Sequence, residues 1–164
     1  MNADLNILVK TAGLALELED RYLLGSVAAN RQAYPGENGG ILRLNNERYY
    51  QFIVARSLVS SYPFAAEIEV DFHDLVLRYP GDSKIFAAIE MKRWMTSNGY
   101  EELESIKRDV VEKLAIANSE KSFLIVFFAN PVQNSVTDNL KWLSENINIP
   151  VSSDSHLRLS VTEF

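Results

Sequence analysis

Residues 73–92 read HDLVLRYPGDSKIFAAIEMK, and this stretch decides the fold. Asp74-Leu75-Val76-Leu77-Arg78 is a short strand, Pro80-Gly81-Asp82-Ser83 is a turn, and Ile85 to Lys92 is a second strand, apolar until its last residues. The two strands are joined too closely for a crossover, so they are expected to pair antiparallel as a hairpin. If the hairpin is symmetric about Asp82, Asp74 lies opposite Glu90, with Cα atoms roughly 5 Å apart. Residues two apart on a strand share a face, so Glu90 and Lys92 stand side by side. A one-residue slip would turn Asp74 to the other face.

The pattern extends outward in both directions. Upstream, residues 64–72 alternate loosely as a strand, with Ile68, Val70 and Phe72 on one side, and the chain bends near His73. Before it, a helix over 45–60 carries Tyr50, Val54 and Leu58 on one stripe, with Asn45 or Asn46 near its cap. Glu47 shares that stripe and reads either as a rim residue or as an acid aimed at a site. An earlier helix spans about 4–33, with Leu5, Leu8, Val9, Ala12, Ala15 and Leu16 at helical spacing. Pro35-Gly36-Glu37-Asn38-Gly39-Gly40 breaks the chain there, and with no Lys-Ser or Lys-Thr after it, it is a turn and not a phosphate loop.

Downstream, 100–117 form a helix on Leu103, Ile106, Val110, Leu114 and Ala117. The run Phe123 to Phe128 is continuously apolar, as in a strand covered on both faces. Strand, helix and buried strand in this order predict a parallel crossover. A helix at about 136–147 and an edge strand over 156–163 complete the chain. The expected class is α/β: a mixed β-sheet flanked by helices, with an extra N-terminal helix.

Two carboxylates opposed across a hairpin repel each other unless positive charge lies between them. A hard cation such as Mg²⁺ takes oxygen ligands of this kind, and Lys92 beside it is placed to orient or activate a water. Arg93 and Trp94 follow directly and are candidates for nucleic-acid contact, with core-edge packing as the other use of Trp94. Lys107, Arg108 and Lys113 are expected to pair with Glu104 and Asp109 at helical spacing. His73 is expected to be structural.

The order of elements and the Asp74 … Glu90-x-Lys92 spacing resemble the PD-(D/E)xK nuclease superfamily over residues 45 to 130, with His73 where the proline of the motif would stand. The resemblance implies a restriction-endonuclease-like core. It makes Asp74 and Glu90 the ligands of Mg²⁺ (or Mn²⁺), with Glu47 as the additional acid many members carry. Lys92 would position the attacking water or help deprotonate it. The implied activity is metal-dependent hydrolysis of phosphodiester bonds of DNA, or of RNA, with Asp74, Glu90 and Lys92 catalytic. The implied partner is nucleic acid, with DNA favoured, and a homodimer or larger complex if both strands are cut. The alternatives are a catalytically silent module of this fold that binds a protein partner, or a small regulatory protein that blocks a basic partner.

Composition sets the remaining bounds. The chain has 164 residues, which suit one domain: a core over 45–130, an N-terminal helical extension over 1–44 and a C-terminal helix and strand over 131–164. Hydrophobic residues make up 47% and charged residues 23%, a globular balance. There is no Cys and there are only two His, His73 and His156, which excludes disulfides, thiol chemistry and Cys- or His-rich metal sites. No Gly-x-Ser-x-Gly elbow is present. No apolar run is long enough to span a membrane and no signal peptide is apparent, so a soluble cytoplasmic protein is expected. The net charge of -6 argues against non-specific coating of nucleic acid, but acidic metal ligands add to such a charge.

Overall fold

The computed structural model describes residues 5–29, 41, 46–94, 100–129 and 157–164. Within them lie the helices α1 (Leu5–Ala29), α2 (Glu47–Ser61) and α3 (Tyr100–Asp109), the last continued by a π-helical turn at Val110–Leu114. The strands are β1 (Ala65–Val70), β2 (His73–Arg78), β3 (Ile85–Trp94), β4 (Ser119–Ala129) and β5 (Leu157–Glu163). They form one mixed sheet in the order β1-β2-β3-β4-β5. Only the β3–β4 pair is parallel, and α3 lies in the connection between those strands, as the strand–helix–buried strand order predicts. The breaker at 35–40, the helix expected at 136–147 and His156 lie outside the described residues.

Alternation along the strands divides the core into two layers. Leu75, Leu77, Ala87, Ile89, Met91, Phe123, Ile125 and Phe127 face α1 and α2. Ala88, Leu124, Val126 and Phe128 face Ile106 and Leu114 of the α3 segment. Helices on both sides explain why β4 is apolar without interruption: every residue from Phe123 to Phe128 is buried. Burying one such side chain contributes about 1.5–3 kcal/mol, so this strand anchors the sheet. Helix α1 comes close to the sheet at Gly13, where an added Cβ would lie 3.4 Å from a methyl of Leu159 on β5.

Helix α2 starts where expected. The Asn46 side chain accepts the Tyr49 N–H at 3.2 Å, and Tyr50, Val54 and Leu58 are buried. Upstream of β2 the structure corrects the sequence reading. Strand β1 does not run to Phe72 and bend at His73. Val70 pairs with His73 across a two-residue turn, so β1 and β2 form a hairpin of their own. Asp71 and Phe72 both have positive φ, 52° and 68°, as a tight hairpin of this type requires. Asp is tolerated there; a bulky aromatic is not a usual turn former, so alternating hydrophobicity concealed the reversal.

Phe72 is 90% exposed, so its ring contributes little packing to offset the strain of its left-handed backbone. Phe72→Gly is therefore expected to stabilise the protein by about 0.5–1 kcal/mol in urea unfolding, the relief of left-handed strain exceeding the added flexibility of the unfolded chain. A loss of stability would show that the ring is held by contacts stronger than its exposure implies.

Candidate functional site

The hairpin between β2 and β3 has the register expected from its symmetry about Asp82. Leu75 pairs with Ile89, Val76 with Ala88 and Leu77 with Ala87. The next step would set Asp74 opposite Glu90, but the ladder ends at Leu75. Beyond it the Asp74 side chain replaces the backbone: Oδ2 accepts the Met91 N–H at 2.6 Å, and Oδ1 accepts from Gln51 Nε2 at 3.3 Å. On the other side of β2, Glu69 has a φ of 56° and drops out of the β1–β2 ladder opposite Asp74.

Glu90 is completely buried, on the sheet face covered by the α3 segment. Its Oε2 accepts from Lys113 Nζ at 2.9 Å, and its Oε1 lies 3.1 Å from His73 Nδ1. Burial, and then the charge of Lys113, lower the pKa of His73. The ring is accordingly neutral near pH 7, with its Nδ1 facing Glu90 Oε1. His73 is buried against Glu90 and lines both openings beside the cluster. Lys92 follows Glu90 on the same face, and its Nζ lies 2.6 Å from Asp109 Oδ2. Asp109 Oδ1 is also 3.6 Å from Lys113 Nζ, at the helical spacing expected for that pair. Lys107 pairs with Glu104 at 3.1 Å, also as expected.

The electrostatics follow from this crowding. Burial, and next the negative charge of Glu90, push the pKa of Asp74 up to about 7, against the opposing effects of the Met91 N–H bond and Lys92. Burial also raises the Glu90 pKa, opposed by its hydrogen bond to Lys113. Burial works against the Lys113 charge, but the bond to Glu90 and the fields of Glu90, Asp109 and Asp74 outweigh it and raise its pKa. Acids held in such a state are characteristic of functional sites.

Two of the expected site residues are placed differently from the sequence reading. Glu47 is exposed in the first turn of α2, and it acts on Asp74 through its field. Among the described residues, no three Asp, Glu or His side chains are grouped to hold a metal ion, so the Glu47–Asp74–Glu90 trio is not assembled. Trp94 is corrected outright: it is 3% exposed and belongs to the core cluster of Ala88, Ile106 and Phe128, so it does not face nucleic acid. Strand alternation puts it on the same side as Ala88, beneath α3. Arg93 points to the opposite face and donates to the Tyr50 hydroxyl at 3.3 Å.

Three participants escaped the sequence reading. Gln51 lies one turn after Glu47 on α2, and its amide meets Asp74. Asp109 and Lys113 are expected from the sequence only in ion pairs at helical spacing on their own helix, and both also engage β3. The legible signal was their i, i+4 spacing on the helix that follows the Glu-x-Lys strand.

Two openings flank the cluster. A groove of about 970 Å³ is lined by His73, Arg78, Lys84 and Lys113, among others. A smaller one of about 560 Å³ is lined by Glu69, Asp71, Phe72, His73 and Asp74. In donor chemistry, Asp74 and Glu90 are oxygen donors of the kind a hard divalent cation takes, both are buried, and the pKa of Asp74 is raised first by that burial and then by the charge of Glu90.

The chain matches no protein-family model and has no match among curated proteins or solved structures. The protein is an α/β protein with a five-stranded mixed sheet between helical layers. None of its described helices is long and apolar enough to cross a membrane.

Proposed function

We propose that this protein is a metal-dependent nuclease of the PD-(D/E)xK type with a restriction-endonuclease-like core. One observation supports this reading: the β2–β3 ladder ends at Leu75–Ile89, one step short of Asp74 and Glu90, and both carboxylates are buried beside that end, with Lys92 following Glu90 on β3. The order α2, β1, β2, β3, α3, β4, with β4 parallel to β3, is the order that superfamily uses. A bound Mg²⁺ supplies Lewis-acid stabilisation of charge on the phosphate and leaving oxygen. Asp74 and Glu90 hold it. Lys92 orients the attacking water and takes part in its deprotonation. Gln51 and the Met91 N–H fix the Asp74 carboxylate in place. Glu47 adds negative charge at the rim. The proposed substrate is nucleic acid, with DNA favoured, and Arg93 is the basic residue next to the motif.

The test is thermal. A cation that binds only the folded chain raises its melting temperature by mass action, by an amount that grows with metal concentration. Mn²⁺ is expected to stabilise the wild type relative to chelator, and Asp74→Asn is expected to lose most of that shift. Coincident melting curves with Mn²⁺ and with chelator would reject the metal site.

A second reading is favoured by the ion pairs. Glu90 is bound by Lys113, and Lys92 by Asp109, so both motif charges are already neutralised within the fold. A silent module of the same architecture, binding a protein partner through its acidic surface, would retain such pairs. It would show no Mn²⁺ response and no cleavage.

A further inference from the structure

Two buried carboxylates share one ammonium, and a third acts on it through its field. Lys113 Nζ is 2.9 Å from Glu90 Oε2 and 3.6 Å from Asp109 Oδ1, and it also feels the charge of Asp74. Glu90 is fully buried and Asp109 and Asp74 nearly so, while the Lys113 side chain is 28% exposed. Lys113 comes from the π-helical turn and lines the larger groove. Its flexible stem thus has solvent to move into, whereas the acids do not.

We propose that Lys113 is a tethered cation that holds the Glu90 carboxylate in the metal-free protein and competes with a divalent ion for it. The proposal rests on the metal-dependent reading above, and concerns how that site is kept closed. The positive charge that opposed acids demand is supplied internally.

Asp109 gives Lys113 a second acid to hold: Lys113 Nζ lies 3.6 Å from Asp109 Oδ1, while Lys92 occupies Oδ2 at 2.6 Å. When Glu90 is taken by a divalent ion, Lys113 is left with Asp109 as its acid.

The experiment is Mn²⁺ titration calorimetry on the full chain, with the wild type, Lys113→Gln and Asp74→Asn. Lys113→Gln removes the competing charge, and about tenfold tighter Mn²⁺ binding than wild type is expected, equivalent to about 1.4 kcal/mol. Its metal-free form is expected to melt lower than wild type. If that variant is unfolded without metal, recovery of its circular dichroism on Mn²⁺ addition supports the proposal, and a chain that stays unfolded in Mn²⁺ overturns it. Equal or weaker Mn²⁺ binding by folded Lys113→Gln also overturns it. In that case, wild-type binding that vanishes in Asp74→Asn leaves the metal site standing. Absence of Mn²⁺ binding by every folded variant removes both the metal site and the role of Lys113.

Discussion

Lys92→Ala is expected to reduce nucleic-acid cleavage by about 10²-fold or more while the fold and Mn²⁺ binding persist, since positioning and general-base effects are each of that size. The structure separates this outcome from a structural one. Lys92 contacts Asp109 at 2.6 Å, not Glu90, so its loss leaves the Glu90–Lys113 bond in place. Asp109 also retains Lys113 at 3.6 Å, which limits the cost of an uncompensated buried charge. Cleavage of single- and double-stranded DNA and RNA in Mg²⁺ or Mn²⁺ is the measurement, with melting as the control. A Lys92→Ala protein that cuts at the wild-type rate would reject the catalytic role. One that merely unfolds more readily, with unchanged cleavage per folded molecule, would assign Lys92 to the scaffold.

The second large effect is a pH dependence. Asp74 has an ordinary pKa of 3.8 and a folded value of about 7, raised first by burial and then by Glu90. The folded state therefore holds this proton more tightly than the unfolded state. The stabilisation is complete below about pH 4 and is lost as pH rises toward about 7, with a total on the order of a few kcal/mol. Glu90 shifts in the same direction. His73 opposes them, because its lowered pKa makes the unfolded state bind more protons below its ordinary value of 6.5. Comparison with Asp74→Asn isolates the Asp74 contribution. Urea unfolding in chelator should show the wild type losing stability relative to Asp74→Asn from pH 4.5 to pH 8, where the ionised carboxylate is most costly. Parallel profiles for the two proteins would show that Asp74 ionises as an ordinary carboxylate.

Much of the frame is readable in the chain. Asn46 caps α2 where its side chain and the following apolar stripe indicate, because capping is a local contact between residues three apart. The Phe123–Phe128 run marks a doubly covered strand, because no polar alternation survives where both faces meet helices. The β2–β3 register follows from a short loop centred on Asp82, and it holds as far as Leu75–Ile89, one step short of Asp74 and Glu90. These properties depend on period and on near neighbours, which a sequence states directly.

The state of the site depends on distant residues and was decided by tertiary structure. Alternation places Glu90, Lys92 and Trp94 on one face but does not say what covers it. The α3 segment covers it, burying Trp94 and bringing Asp109 to Lys92 and Lys113 to Glu90. Gln51 meets Asp74 across 23 residues of sequence because β2 leaves its ladder at that point. Asp71–Phe72 reverses the chain in a conformation that residue types alone disfavour, held by strand pairing on both sides. The sequence by itself determined which residues carry charge and the register in which β2 and β3 meet. Only the packed structure determined which charges on separate elements neutralise one another, because such an ion pair forms where the fold brings oxygen and nitrogen together, and neither partner records the other in its local pattern.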